Sequence, residues 1–150
     1  GYPLGLRFLV LDPAKDACAG QVAPQLHGEY DDPDALDELA RRCDVVTFDF
    51  ENVPAAALER LAAEVPVAPN PHALGTAQDR LAEKTLFREL GIPTPVHAAV
   101  DSRDDLAAAV ATTGLPAVLK TRRFGYDGKG QYVLREPADL AASWLPACTT

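Results

Sequence analysis

Methionine is absent from all 150 residues, position 1 included. A chain that starts Gly1-Tyr2-Pro3-Leu4 and stops at Ala147-Cys148-Thr149-Thr150 reads as an internal piece of a longer polypeptide. Long apolar runs are missing too. Nothing approaches the ~18 consecutive apolar residues of a membrane span, and the first residues lack the charged and apolar regions of a secretory signal. A cytoplasmic protein with no membrane partner is expected. Cysteine is scarce: Cys18, Cys43 and Cys148 form no C-x-x-C pair and leave an odd number, which argues against a disulfide framework or a zinc site and predicts three reduced, mostly packed thiols. Positive charge is the last shortage. With 14 Lys and Arg against 22 Asp and Glu the net charge is -8 and the pI about 4.7. No nucleic-acid partner is expected.

What is present is the composition of a globular protein, 47% hydrophobic and 24% charged. Leu6 to Leu11 reads as a strand buried on both faces. After a turn-rich passage, Asp32-Pro33 supplies an N-cap and a first-turn proline, and Leu36, Leu39, Ala40 and Cys43 recur at helical spacing. Val45 to Phe50 is the next strand. Leu58, Leu61, Ala62 and Val65 repeat the helical pattern behind Pro54, and a short strand follows at Val65-Pro66-Val67. Such alternation predicts an α/β fold with a doubly wound parallel sheet.

From Pro69 to Ala77 the pattern changes to a Pro- and Gly-punctuated connection. A charged helix is expected from about Asp79 to Leu90, ended by Gly91 and Pro93. A second unit then begins, with a strand near Val96 to Val100, a capping-box helix opening at Ser102 and Asp105, and a stop at Gly114-Leu115-Pro116. Ala117 to Lys120 and Gln131 to Arg135 read as strands, and Pro137 to Leu145 as a helix with Leu140 and Trp144 on one face. The predicted organisation is 1–76 as a partial doubly wound domain, 77–92 as a connecting helix, and 93–150 as the start of a second lobe.

Against the acidic background, Lys120, Arg122, Arg123 and Lys129 crowd together around Phe124-Gly125-Tyr126-Asp127-Gly128-Lys129-Gly130-Gln131. Two readings share this loop's chemistry. Asp127-Gly128 between apolar runs is a hairpin signal, because a type I′ turn needs positive φ at both central residues. Glycines at 125, 128 and 130 also let backbone N–H groups converge on phosphate oxygens, with Lys129 as a mobile charge. It is neither a Walker A loop nor G-x-G-x-x-G. Lys120, at a strand end, is either an exposed lysine or a reach towards an anion under the loop.

Elsewhere, alternation in Thr47-Phe48-Asp49-Phe50-Glu51-Asn52 puts Asp49 and Glu51 on one face at the C-terminal end of a parallel strand, where open α/β sheets bind ligands. Asn52 is expected to cap the helix behind Pro54, which does not exclude a site. Arg80 lies in the first turn of its helix, the wrong end of the dipole for a cation. It points to an anionic partner, or to a charged face with Lys84 salted by Asp79 and Glu83. His27, His72 and His97 lack metal spacing, and Ser102 and Ser143 lack a nucleophile elbow.

Taken in order, T-F-D-F-E-N-V-P, A-P-N-P-H-A-L, Q-D-R-L-A-E-K, G-I-P-T-P and L-P-A-V-L-K-T-R-R-F-G-Y-D-G-K-G-Q resemble the N5-carboxyaminoimidazole ribonucleotide synthetases, ATP-grasp enzymes of purine biosynthesis. The resemblance implies a pre-ATP-grasp domain followed by the start of an ATP-grasp small lobe. It implies ATP, Mg²⁺, bicarbonate and 5-aminoimidazole ribonucleotide as reactants, and a homodimer at full length. Lys120 would contact the nucleotide, Arg80 would help hold it, and Gly125, Tyr126, Asp127, Gly128, Lys129, Gly130 and Gln131 would close over its phosphates. Asp49, Glu51 and Asn52 would lie on the substrate side. No catalytic residue or metal ligand is assigned, because the family's Mg²⁺ ligands fall beyond residue 150. The family usually has Glu where Asp49 stands. Without those parts a nucleotide-loop fragment lacking ligase activity is expected, its cations balanced by a triphosphate. Another ATP-grasp enzyme of the same pathway, such as a formyltransferase, and a noncatalytic nucleotide-binding module remain the rival readings.

Overall fold

The computed structural model describes residues 1–125 and 127–142. The chain divides into two compact units, 1–75 and 76–150.

Unit 1 is built from parallel strand pairings separated by helices. Strand β1 (Val10–Asp12) pairs with β2 (Gln25–His27) in the register Leu11 to Leu26. Helix α1 (Pro33–Arg42) starts where the sequence places it: the Asp32 carboxylate accepts from Asp34 N at 2.9 Å and Ala35 N at 3.2 Å, and Pro33 occupies the first turn. Its Leu36 and Leu39 meet Ala57, Leu58 and Leu61 of α2 (Ala55–Ala62) in one apolar cluster. Val46 and Val67 form a parallel bridge, with Val46 N donating to Pro66 O and Ala68 N to Val46 O, both at 2.9 Å.

Several expectations for unit 1 need correction. The strand expected over Leu6 to Leu11 is confined to Val10–Asp12; among the described residues Leu6 and Phe8 have no ladder partner and stay 53% and 43% exposed, Phe8 meeting the Tyr2 ring edge-on instead. Strand β2 lies in the passage read as turns. Val45 to Phe50 contributes only the Val46 bridge, because the facing segment carries prolines at 66 and 69, which have no N–H to extend a ladder. Helix α2 has Pro54 at its N-cap position and no side-chain cap, so Asn52 does not cap it. Ala62 is exposed, and Cys18 is an exposed free thiol while Cys43 is half-buried. The connection expected from Pro69 to Ala77 is largely helix α3 (Pro71–Gln78), which includes His72: Asn70 Oδ1 accepts from Ala73 N at 2.8 Å and Pro71 takes the first turn.

Unit 2 opens with α4 (Arg80–Glu89), capped by Asp79 and closed at Gly91, whose φ of +71° lets Ile92 N return to Phe87 O at 2.8 Å. The reciprocal bonds expected of the capping box form in the turn before the next helix, whose own N-cap, Asp104, has no side-chain cap: Ser102 N donates to Asp105 Oδ2 at 2.8 Å, and Asp105 N reaches Ser102 Oγ at 3.4 Å. The turn leads into α5 (Asp105–Thr113), which stops at Gly114. Strands β3 (Ala117–Lys120) and β4 (Gln131–Leu134) form where the sequence predicts strands, β4 stopping one residue short of Arg135, and they pair antiparallel with Lys120 opposite Gln131. Leu106, Leu119 and Leu134 form the core between α5 and this hairpin, flanked by Val100 and by Leu140 of α6 (Asp139–Ala142). Val96 to Val100 forms no strand; it follows the donor-poor Pro93 and Pro95, and Val96 is exposed. Trp144, Ser143 and Cys148 lie outside the described residues.

Candidate functional site

The functional geometry is concentrated where β3 turns into β4. Register fixes its base: Lys120 faces Gln131, and one step further Thr121 N donates to Gly130 O at 2.8 Å, closing the neck of the loop. Asp127 and Gly128 have φ of +46° and +78°, the paired positive values the type I′ signal calls for. Gly130 must be glycine on two counts. Its φ is +69°, and a Cβ there would stand 2.6 Å from Thr121 Oγ1. Thr121, 5% exposed, is thus a buried post against which the loop closes.

Under the loop lies a small cleft of ≈ 40 Å³ lined by Arg80, Lys120, Gly125, Asp127, Gly128, Lys129, Gly130 and Gln131. Three cations and one carboxylate surround a volume of water size, an arrangement that favours an anion. Arg80 belongs to it because its guanidinium Nη2 donates to Gly125 O at 3.2 Å across 45 residues of sequence. The reading of Arg80 and Lys84 as a face salted by Asp79 and Glu83 does not hold: among the described residues neither makes an ion pair. Tyr126 lies outside the described residues. Asp49, Glu51 and Asn52 belong to unit 1, exposed in the loop before α2, and are not among the residues lining the cleft.

The four cations of the loop region divide into two sets, which corrects the expectation that all await a triphosphate. Lys120 and Lys129 line the cleft. Arg122 instead grips both oxygens of Asp79, Nε to Oδ1 at 3.2 Å and Nη2 to Oδ2 at 2.5 Å, with Asp101 Oδ1 further off at 3.7 Å. Arg123 donates to Gln78 Oε1 at 2.7 Å and lies 5.9 Å from the Phe124 ring centroid. The Asp79 carboxylate also caps α4, Oδ1 accepting from Leu81 N at 2.9 Å and Ala82 N at 3.3 Å. Burial pushes the Asp79 carboxyl up, but the Arg122 hydrogen bond, the two backbone N–H donors and the guanidinium charge together hold it below the ordinary aspartate value. The same partner raises Arg122. Sequence reading missed this pair, since nothing local links residues 43 apart.

Among the described residues no three His, Cys, Asp or Glu side chains gather where they could hold a metal ion. His27 is exposed at the end of β2, and His97 Nδ1 lies 3.1 Å from Pro95 O. No helix among the described residues is long and apolar enough to cross a membrane.

Two family models match the chain: the ribonucleotide synthetase pre-ATP-grasp domain over residues 1–78 and the ATP-grasp domain over 85–149. The chain is 53% identical over 144 residues to the N5-carboxyaminoimidazole ribonucleotide synthase of Pseudomonas aeruginosa, covering 96% of this chain and 40% of that protein. It superposes on the N5-carboxyaminoimidazole ribonucleotide synthetase of Thermus thermophilus with a TM-score of 0.85 at 46% identity, covering 95% of this chain and 38% of that one. It also matches the synthase of Aspergillus clavatus in complex with ADP and 5-aminoimidazole ribonucleotide, with a TM-score of 0.74 at 27% identity, covering 91% and 35%. The chain therefore spans about two fifths of the length of these relatives.

Proposed function

Because the chain belongs to the ribonucleotide synthetase pre-ATP-grasp family and is matched by an ATP-grasp domain behind that region, we propose that it is the nucleotide-loop portion of an ATP- and bicarbonate-dependent carboxylase acting on 5-aminoimidazole ribonucleotide. Residues 1–76 are then a partial pre-ATP-grasp domain, 77–92 the connecting helix and 93–150 the opening of the small lobe. The polypeptide is cytoplasmic and dimeric at full length. The observation that carries the reading is the cleft itself. Arg80, Lys120 and Lys129 converge under a loop whose Gly130 no other residue can replace without strain.

The chemistry suits those residues. A bicarbonate oxygen attacks the γ-phosphorus of ATP, forming carboxyphosphate as the bond to ADP breaks. The exocyclic amine of the ribonucleotide then takes the carboxyl carbon, and phosphate leaves. Positioning and charge stabilisation carry phosphoryl transfer. Lys120 and Arg80 hold the nucleotide, Lys129 and the loop backbone face the phosphoryl oxygens, and the closed loop keeps water from the labile mixed anhydride. Mg²⁺ would neutralise phosphate charge alongside the cleft's cations, although no cluster among the described residues fits it, and Asp49, Glu51 and Asn52 serve the ribonucleotide side.

Release of ADP and phosphate tests this. In the whole polypeptide containing this chain, the rate is expected to rise on adding 5-aminoimidazole ribonucleotide with bicarbonate, and the 150-residue chain alone is expected to show no such rise. Absence of stimulation in the whole polypeptide would overturn the carboxylase reading. Lys120→Ala is expected to weaken ATP binding about tenfold, the effect of one lost charge-assisted hydrogen bond, with the circular dichroism spectrum unchanged. Unchanged affinity would make Lys120 an ordinary exposed lysine.

A further inference from the structure

We propose that Asp79 and Arg122 are positioning residues for the cleft: an ion-pair latch that fastens the first half of the β3–β4 loop to the start of α4, setting Arg80 and the loop backbone at one fixed spacing. The proposal rests on the nucleotide reading above only for what the cleft holds.

Five hydrogen bonds in four contacts join residues 122–125 to residues 78–80. Arg122 grips Asp79 through two nitrogens, Arg80 N donates to Arg122 O at 3.1 Å, Arg80 Nη2 donates to Gly125 O at 3.2 Å, and Arg123 holds Gln78. The first two are reciprocal: a side chain of the loop holds the helix cap while a backbone N–H of the helix holds the loop. Neither Asp79 nor Arg122 lines the cleft, so their effect on a ligand passes through Arg80 and Gly125, which do.

Asp79 is also the most buried carboxylate among the ion pairs described. Its side chain is only 14% exposed, against 34% for Glu38, 54% for Asp37 and 72% for Asp101, which pairs with the same Arg122. Bidentate guanidinium–carboxylate contacts fix orientation as well as distance, and a partly desolvated pair is weakly screened. One carboxylate therefore starts the helix and anchors the loop at once.

The double role makes the latch separable from the cap. Asparagine caps a helix about as well as aspartate, so Asp79→Asn keeps the start of α4 and removes the nearer charge that holds Arg122, leaving only the longer 3.7 Å contact to Asp101. Hydrogen exchange on the 150-residue chain is expected to show amides 121–130 exchanging about tenfold faster in Asp79→Asn, with α4 amides unchanged. In the whole polypeptide, ATP affinity is expected to fall by a similar factor, and the double variant with Arg122→Gln to be no weaker than either single variant, as for two halves of one interaction. Wild-type loop exchange in Asp79→Asn would reduce Asp79 to a cap. Additive losses in the double variant, or tighter ATP binding once Arg122 is released, would make Arg122 an independent phosphate ligand. Each of these outcomes overturns the latch. Failure of the wild-type protein to bind ATP would instead sink the nucleotide reading, while the exchange comparison would still decide the latch.

Discussion

Nine buried side chains drawn from α1, α2, α3, the Val46 bridge and the segments beside them form one continuous cluster in unit 1, whereas the described core of unit 2 is Leu106, Leu119 and Leu134. Beside that smaller core, the described residues of unit 2 carry directional bonding concentrated where residues 78–80 meet residues 121–125. The difference teaches how each responds to change. Apolar contacts are non-directional and cooperative, so unit 1 gives way as a whole; the loop of unit 2 is held by individual bonds that can be removed one at a time.

The largest expected effect follows from the first half of that contrast. Leu58 is 3% exposed at the centre of the unit 1 cluster, and Leu58→Ala removes buried methyl groups and leaves a cavity, costing about 3 kcal/mol. Urea titration followed by hydrogen exchange is expected to show amides of residues 1–75 losing protection together while those of β3 and β4 keep theirs. Equal loss in both units would mean they fold as one body, and the contrast would fail.

How much of this was legible in the sequence depended on the range of the forces involved. Helices α1 and α5 were readable because Asp32 and the Ser102–Asp105 pair act within a turn of their helices, and α4 because Gly91 and Pro93 mark its end, although the Asp79 cap itself was not read. Helix α3 was misread because Pro71 and Gly75 look like breakers in isolation; Asn70 and Pro71 together are a helix start. Strand extents were over-read because a partner sets them, and the proline-bearing segment facing Val46 allows only a bridge. In the cleft, Lys120, Gly125 and residues 127–131 were readable from local strand-end and turn chemistry, and Arg80 from its misplacement on a helix dipole. The Arg122–Asp79 pair was not, because only the folded chain brings residue 122 beside residue 79.

A smaller effect sharpens the comparison inside unit 2. Gly130→Ala puts a Cβ 2.6 Å from Thr121 Oγ1 at a φ of +69°, which together cost about 2 kcal/mol. The strain is local, so the Thr121–Gly130 bond at the neck of the loop should open before either core does. Exchange at the Thr121 amide is expected to rise by an order of magnitude or more, with protection of Leu58 and Leu61 unchanged. The variant Thr121→Gly, Gly130→Ala, which removes the obstructing hydroxyl, should recover part of the loss. No recovery would place the strain in the backbone φ alone.

The smallest expected effect is a response to acid, and its sign follows from the lowered folded value of the Asp79 carboxyl. Burial opposes the charged form, but Arg122 and two backbone N–H groups outweigh it, so the folded chain holds the carboxylate more strongly than the unfolded chain does. The resulting stabilisation is fully present above the ordinary aspartate range and is lost only as pH falls through the lowered folded value. At neutral pH the latch is therefore closed and insensitive to small changes. Asp105 and Asp139 are lowered too, the first by the Ser102 hydroxyl and backbone and the second by the Arg135 and Glu136 amides. Their protonation loosens α5 and α6, and only Asp105 is linked to the loop, indirectly, through the Asp101 amide it accepts from and the Asp101 carboxylate 3.7 Å from Arg122. Following the carboxyl carbon shifts of the three residues by NMR separates them. The Arg122 side-chain resonances are expected to move chiefly with Asp79, which it grips through two nitrogens, and equal movement with Asp105 or Asp139 would show that loop and helices titrate as one network.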